Sequence, residues 1–89
     1  MVTMAIAGDL EQLLTLQQTL ARNGQSVDEV TTSIRSQLQG TRWEGPAADR
    51  FRAAWNAEFE TALRRLREAL EDASTEVARR RDALAQAGS

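Results

Sequence analysis

Cysteine and histidine are both missing from this sequence. Without cysteine there is no disulfide framework. Without either residue there is no Cys/His zinc site, and no Ser-His-Asp or Cys-His catalysis. Aromatic side chains are limited to Trp43, Phe51, Trp55 and Phe59, too few to suggest a β-rich fold. Five glycines and a single proline exclude collagen-like and low-complexity chains. No apolar run approaches the roughly 20 residues that a membrane span needs, so no stable membrane insertion is expected. The N-terminal stretch has no basic residue before Arg22, and its apolar run stops at Asp9, so it does not read as a cleaved secretory signal. A net charge of −2, from 11 bases and 13 acids, argues against a nucleic-acid partner. At 89 residues the chain has room for one small domain.

The first half carries a regular pattern. Ile6, Leu10, Leu13, Leu20, Gly24, Val27, Ile34 and Leu38, with Gln17 and Thr31 filling the gaps, alternate spacings of four and three. That is the seam of a coiled coil. The plainer reading puts the polar Gln17 and Thr31 at the seam edge; the sharper one makes them register-setting. Gly24 is a weak point, because glycine inside a helix costs about 1 kcal/mol relative to alanine. Ser26 followed by Glu29 has the form of a capping box, which would start a second helix at Val27. The seam keeps phase across Gly24, so the spacing predicts one continuous helix over about 4–39.

A bend follows at 40–46. Gly40 suits a helix C-terminal cap, Pro46 suits a first helical turn, and Glu44 and Asp49 favour a helix N-terminus. A connection this short predicts an antiparallel hairpin or a wide turn. The second helix is expected over about 47–85, with an apolar face of Phe51, Trp55, Phe59, Ala62, Leu66, Leu70, Ala73, Val77 and Leu84. Its other face offers the i, i+4 pairs Glu60-Arg64, Arg64-Glu68, Arg67-Glu71 and Glu76-Arg80. The tail after Ala85 is expected to fray.

Two helices side by side bury one stripe each, which leaves much apolar surface wet in so short a chain. The predicted fold is therefore all-α: an antiparallel helix-turn-helix hairpin dimerising into a four-helix bundle. Its hairpin or dimer core would be Leu10, Leu13, Leu20, Val27, Ile34, Leu38, Phe51, Trp55, Phe59, Leu66, Leu70 and Val77. The carboxylate pairs Asp28-Glu29 and Glu71-Asp72 converge with nothing, and adjacent helical residues point different ways. Arg79, Arg80 and Arg81, flanked by Glu76 and Asp82, read as a solvated helix end. No nucleophile-base pair, metal cluster or phosphate loop is present, so neither an enzyme nor a cofactor is expected.

Trp43-Glu44-Gly45 stands in the bend. A tryptophan there can plug the bundle end and bury its ring against both helices, and glycine two residues on permits a backbone angle that other residues resist. Trp-x-Gly at the centre of two helices of similar length, followed by Ala47-Ala48, Phe51 and Trp55, resembles the WXG100 family over essentially the whole chain. These are ESAT-6-like proteins exported by type VII secretion systems. The resemblance implies a homodimer, or a heterodimer with a WXG100-like partner chain. It implies export without a cleaved signal, from a cytoplasmic pool. It also implicates Trp43 and Gly45, with the partner's C-terminal tail, in recognition by the type VII secretion ATPase. One departure concerns that tail. Many secreted pairs carry Tyr-x-x-x-Asp/Glu, and here Ala78 stands where the tyrosine would be, with Asp82 in the acidic position. An alternative role follows, that of an adaptor which pairs with a helical client and presents it to the machinery.

Overall fold

The four-three spacing of the first half produces a single helix, α1, Val2–Gly40. The computed structural model describes residues 2–87, with side chains from Asp9 onward. Ile6 of the predicted seam lies outside the described side chains. No second helix starts at Val27. The Ser26 hydroxyl donates back along the helix to the Arg22 carbonyl at 3.1 Å, and the Asn23 amide does the same to Thr19 at 2.8 Å. Both side chains therefore bond within α1 and cap nothing.

Gly24 is buried where the two long helices cross. A Cβ built there would lie 3.7 Å from Leu70 Cβ and from Glu71 Cγ, and 3.9 Å from the Arg67 carbonyl. Those are ordinary van der Waals separations. The glycine permits the crossing, yet the space would accept a methyl group. Gly24→Ala should therefore stabilise the hairpin by about 1 kcal/mol through helix propensity. In a thermal melt that corresponds to a rise of about 5 °C. A fall in melting temperature would show that the crossing tolerates nothing larger than hydrogen.

Beyond the bend the chain forms α2, Pro46–Ala54, then a π-helical turn, Trp55–Phe59, then α3, Glu60–Ala87. The helix thus runs past Ala85, where fraying was expected; Gly88 and Ser89 lie outside the described residues. Gly40 is the last residue of α1 and does not take a left-handed cap: among the described residues only Gly45 has a positive φ. The result is a thin rod, 65 × 17 × 15 Å, all-helical and hairpin-like.

The π turn corrects the predicted face of the second helix. The Glu60 amide donates to the Trp55 carbonyl, five residues back, which inserts one extra residue into the helical repeat. Ahead of the turn, Ala48 and Trp55 face α1, at 0% and 4% exposure. After it, the inward residues are Leu63, Arg67, Leu70, Ser74, Val77, Arg81 and Leu84. Trp55 to Leu63 is eight positions where an uninterrupted seam takes seven. Phe51, Phe59 and Leu66, expected on one face with Trp55, are 37%, 43% and 48% exposed; Ala62 is exposed as well.

The seam is also wetter than its apolar spacing suggests. Thr31 is in it, not at its edge: the residue is 6% exposed and its hydroxyl donates to the Val27 carbonyl at 2.8 Å. The Gln17 carbonyl accepts a hydrogen bond from Ser74 Oγ at 3.1 Å, and the Gln17 side-chain oxygen is buried without a partner. Of the predicted i, i+4 pairs, Glu60-Arg64 and Arg67-Glu71 meet at 4.0 and 3.8 Å. Glu76 pairs instead with Arg79 at 2.8 Å. Arg67 also reaches across to Asp28 at 3.8 Å.

Candidate functional site

Gly45 sets the geometry of the bend. Its φ of 115° and ψ of 173° fall in a region that is essentially glycine-only. No atom lies within 4 Å of a Cβ built there, so the requirement is for the backbone angle and not for space. The Gly45 carbonyl then accepts from the Asp49 amide at 3.0 Å, closing the first turn of α2. Pro46 opens that helix and Asp49 sits in its first turn, where negative charge meets the positive helix end.

Trp43 is not the buried plug that its place in the bend suggests. It is 40% exposed. Its amide donates to the Thr41 carbonyl at 3.1 Å. Its ring lies 6.2 Å from the Phe51 ring, and Phe51 in turn lies 6.5 Å from Trp55 and 6.2 Å from Phe59. All four aromatic residues of the chain therefore form one cluster at the bend end of the rod. Each separation is within the range of favourable ring contacts, worth about 0.5–1.5 kcal/mol per pair. Trp55 anchors the cluster in the seam, and its indole N–H is buried with no acceptor.

Arg52, one helical turn before the π turn, ties the bend to this cluster. Its guanidinium donates to the carbonyls of Trp43, Leu38 and Thr41, and lies 5.7 Å from the centroid of the Trp43 ring. Beside it a cavity of about 210 Å³ is lined by Arg35, Leu38, Gln39, Arg52, Trp55 and Asn56. Arg35 there bonds Glu60 Oε1 through two nitrogens, at 2.9 and 2.6 Å.

The remaining predicted residues fall into two sets. Leu10, Leu13, Leu20, Val27, Ile34, Leu70 and Val77 are half-buried in the seam of the hairpin, and so is Leu38, beside Arg52 and Trp55. Phe51, Phe59 and Leu66 stand outside that seam. Leu63 was missed, since the extra residue that brings it inward leaves no mark in the composition. Ala48 was missed as a core residue, although it lies seven positions before Trp55.

The two broad sides of the rod differ in kind. A groove on one side runs between Val27, Val30, Leu63, Leu66 and Leu70. The opposite side presents Asp28, Thr31, Arg64 and Arg67 beside Leu63, and carries the Arg35–Glu60 and Arg67–Asp28 pairs. On the apolar side Leu16, Asn23 and Val30 recur at heptad spacing on α1, and Phe59 of the π turn continues at the same spacing into Leu66 and Ala73 of α3. Those six positions hold no charged residue; the next heptad positions are Asp9 and Arg80, which line a groove with Leu16. Among the described residues no group of three His, Cys, Asp or Glu side chains could hold a metal ion, and no helix is long and apolar enough to cross a membrane.

A family model described as "WXG100: Proteins of 100 residues with WXG" matches residues 5–89. No curated protein and no solved structure matches the chain.

Proposed function

The chain belongs to the WXG100 family, and we propose that it is an ESAT-6-like protein exported as a dimer by a type VII secretion system, with Trp43 and Gly45 as the feature the machinery reads. WXG100 proteins are small, secreted, helical proteins without a signal peptide, and are not enzymes. Beyond that, residues 1–89 act as one hairpin domain, held in the cytoplasm until export and recognised there by the secretion ATPase.

The observation that carries the dimer is surface area. A compact monomer of 9.8 kDa exposes about 5,200 Å², whereas this rod exposes 6662 Å². Leu16, Val30, Phe59 and Leu66 contribute to the excess and are 43–49% exposed on the apolar side of the rod. Two copies joined through those sides form a four-helix bundle with Phe51, Phe59 and Leu66 in its core. The part of the stripe from Leu16 to Val30 and from Phe59 to Ala73 is uncharged and brings no like charges together on self-pairing, which supports a homodimer. Ala78, in place of a tail tyrosine, supports the second reading: an adaptor whose partner supplies the missing half of the export signal.

Light scattering on a sizing column separates the two. A sharply melting dimer supports self-pairing; a monomer with a broad melt supports an obligate partner. For the motif, Trp43→Ala should reduce export or ATPase capture far more than it lowers the melting temperature. Losses in proportion would make the indole a structural residue only.

A further inference from the structure

We infer that Arg52 is a positioning residue for Trp43, fixing the direction in which the bend presents the indole; the inference deepens the reading in which Trp43 is what the secretion machinery recognises, and rests on it for its functional consequence. The segment 41–45 has few bonds of its own. Apart from bonds within the helices, the described backbone makes only Trp43 to Thr41, at 3.1 Å, and Asp49 to Gly45, at 3.0 Å. Neither fixes the ring. Gly45, at φ 115°, adds a joint with no side chain to restrain it. The neighbouring Arg42–Glu44 pair is almost fully exposed, at 90% and 77%, and holds nothing in place.

Arg52 acts on Trp43 at both ends. One terminal nitrogen donates to the Trp43 carbonyl. The other donates to Thr41 at 3.0 Å and Leu38 at 3.2 Å, so the same planar group ties the bend to the last turn of α1. Its charge lies 5.7 Å from the Trp43 ring centroid, within the range of a cation–π contact, while Phe51 meets the ring at 6.2 Å. The indole is thereby held between a cation and an aromatic edge with 40% of its residue surface still outward.

The end of α1 has its own need for a cation. The C-terminal end of a helix carries partial negative charge and leaves carbonyls unpaired. The last turn of α1 holds no basic residue, and the Leu38 and Thr41 carbonyls are served by Arg52 instead. A rigid guanidinium fork can reach several acceptors in one plane; a lysine ammonium on a flexible stem is a point charge without that fork. The bend therefore depends on an arginine, where a lysine would leave the ring free to turn.

The test compares the full-length chain with Arg52→Gln, Arg52→Lys and Leu70→Ala by NMR and by export in cells with the type VII apparatus. Leu70→Ala weakens the α1–α3 seam without touching the bend, and controls for stability loss. The two indole N–H signals are assigned with Trp43→Phe. In Arg52→Gln the Trp43–Phe51 ring NOEs should vanish and the Trp43 indole heteronuclear NOE should fall to mobile-loop values. The Trp55 signal should hold, and export should drop to the level of Trp43→Ala. Leu70→Ala, matched in melting temperature, should keep both. Arg52→Lys should lose the ring NOEs as well, and it carries the test if Arg52→Gln does not fold. Unchanged Trp43 NOEs and mobility in both variants would overturn the inference. A freed Trp43 with undiminished export would uphold the positioning and overturn instead the reading of Trp43 as the recognised residue.

Discussion

Replacing Trp55 by alanine should cost about 3–5 kcal/mol, the usual range for a large buried aromatic truncated to a methyl group. In a chain whose total stability is of the order of 5–15 kcal/mol, that is enough to leave the bend end of the rod unfolded. Trp55 is 4% exposed, stacks on Phe51 at 6.5 Å and starts the π turn. Its loss removes the inner anchor of the aromatic cluster together with the seam contact. Trp55→Phe should recover most of the stability, because the indole N–H is already without an acceptor and its removal strands no partner. Urea unfolding followed by circular dichroism, at one fixed protein concentration because a partner subunit adds to stability by mass action, gives both values. A loss below about 1 kcal/mol for Trp55→Ala would place the ring outside the core.

Leu66→Asp should act on assembly in the way that Trp55→Ala acts on folding. Leu66 is 48% exposed beside Val27, Val30, Leu63 and Leu70, on the part of the stripe that lacks charge. In a dimer joined through that stripe, the carboxylate would be buried without a counter-charge. An uncompensated buried charge costs about 3–5 kcal/mol, which weakens association by roughly 10²- to 10³-fold or more. Sedimentation across a concentration series should show a dimer reduced to monomer with its helical signal retained. Arg64→Asp, on the opposite side of the rod, is the matched control and should leave the dimer intact. Unchanged association in Leu66→Asp would place the interface elsewhere.

The first helix was legible because nothing interrupts its period. Leu13, Leu20, Val27, Ile34 and Leu38 lie where the four-three spacing puts them, and α1 runs unbroken past Gly24. Thr31 and Gln17 were harder to place. A polar residue at a seam position enters the interior when its polar atom has an acceptor or donor nearby, and the Thr31 hydroxyl finds one in its own helix at 2.8 Å. Spacing alone does not report that bond. The phase of the second helix was not legible past Trp55. Apolar residues occur at both Ala62 and Leu63, and at Leu66 and Leu70, so either phase can be drawn through them. Only the Trp55-to-Glu60 backbone bond decides between the two. Within the bend, Trp-x-Gly singled out Trp43 and Gly45. It gave no hint of Arg52, because the role of that residue is made by three carbonyls that come together only when the hairpin closes.

The extra residue in the π turn acts as a switch in how the chain divides its greasy side chains. With a continuous α-helical repeat, Ala62, Leu66, Ala69, Ala73 and Glu76 would face α1, and Leu63, Leu70 and Val77 would turn outward. With one residue of slack, Leu63 takes the inner place and Phe59 and Leu66 turn outward. A single-residue deletion within 56–58 would thus exchange the leucine and valine seam of α3 for an alanine-rich one while leaving the hydrophobic content almost untouched. Which side chains the hairpin keeps for itself is a matter of helical phase more than of composition.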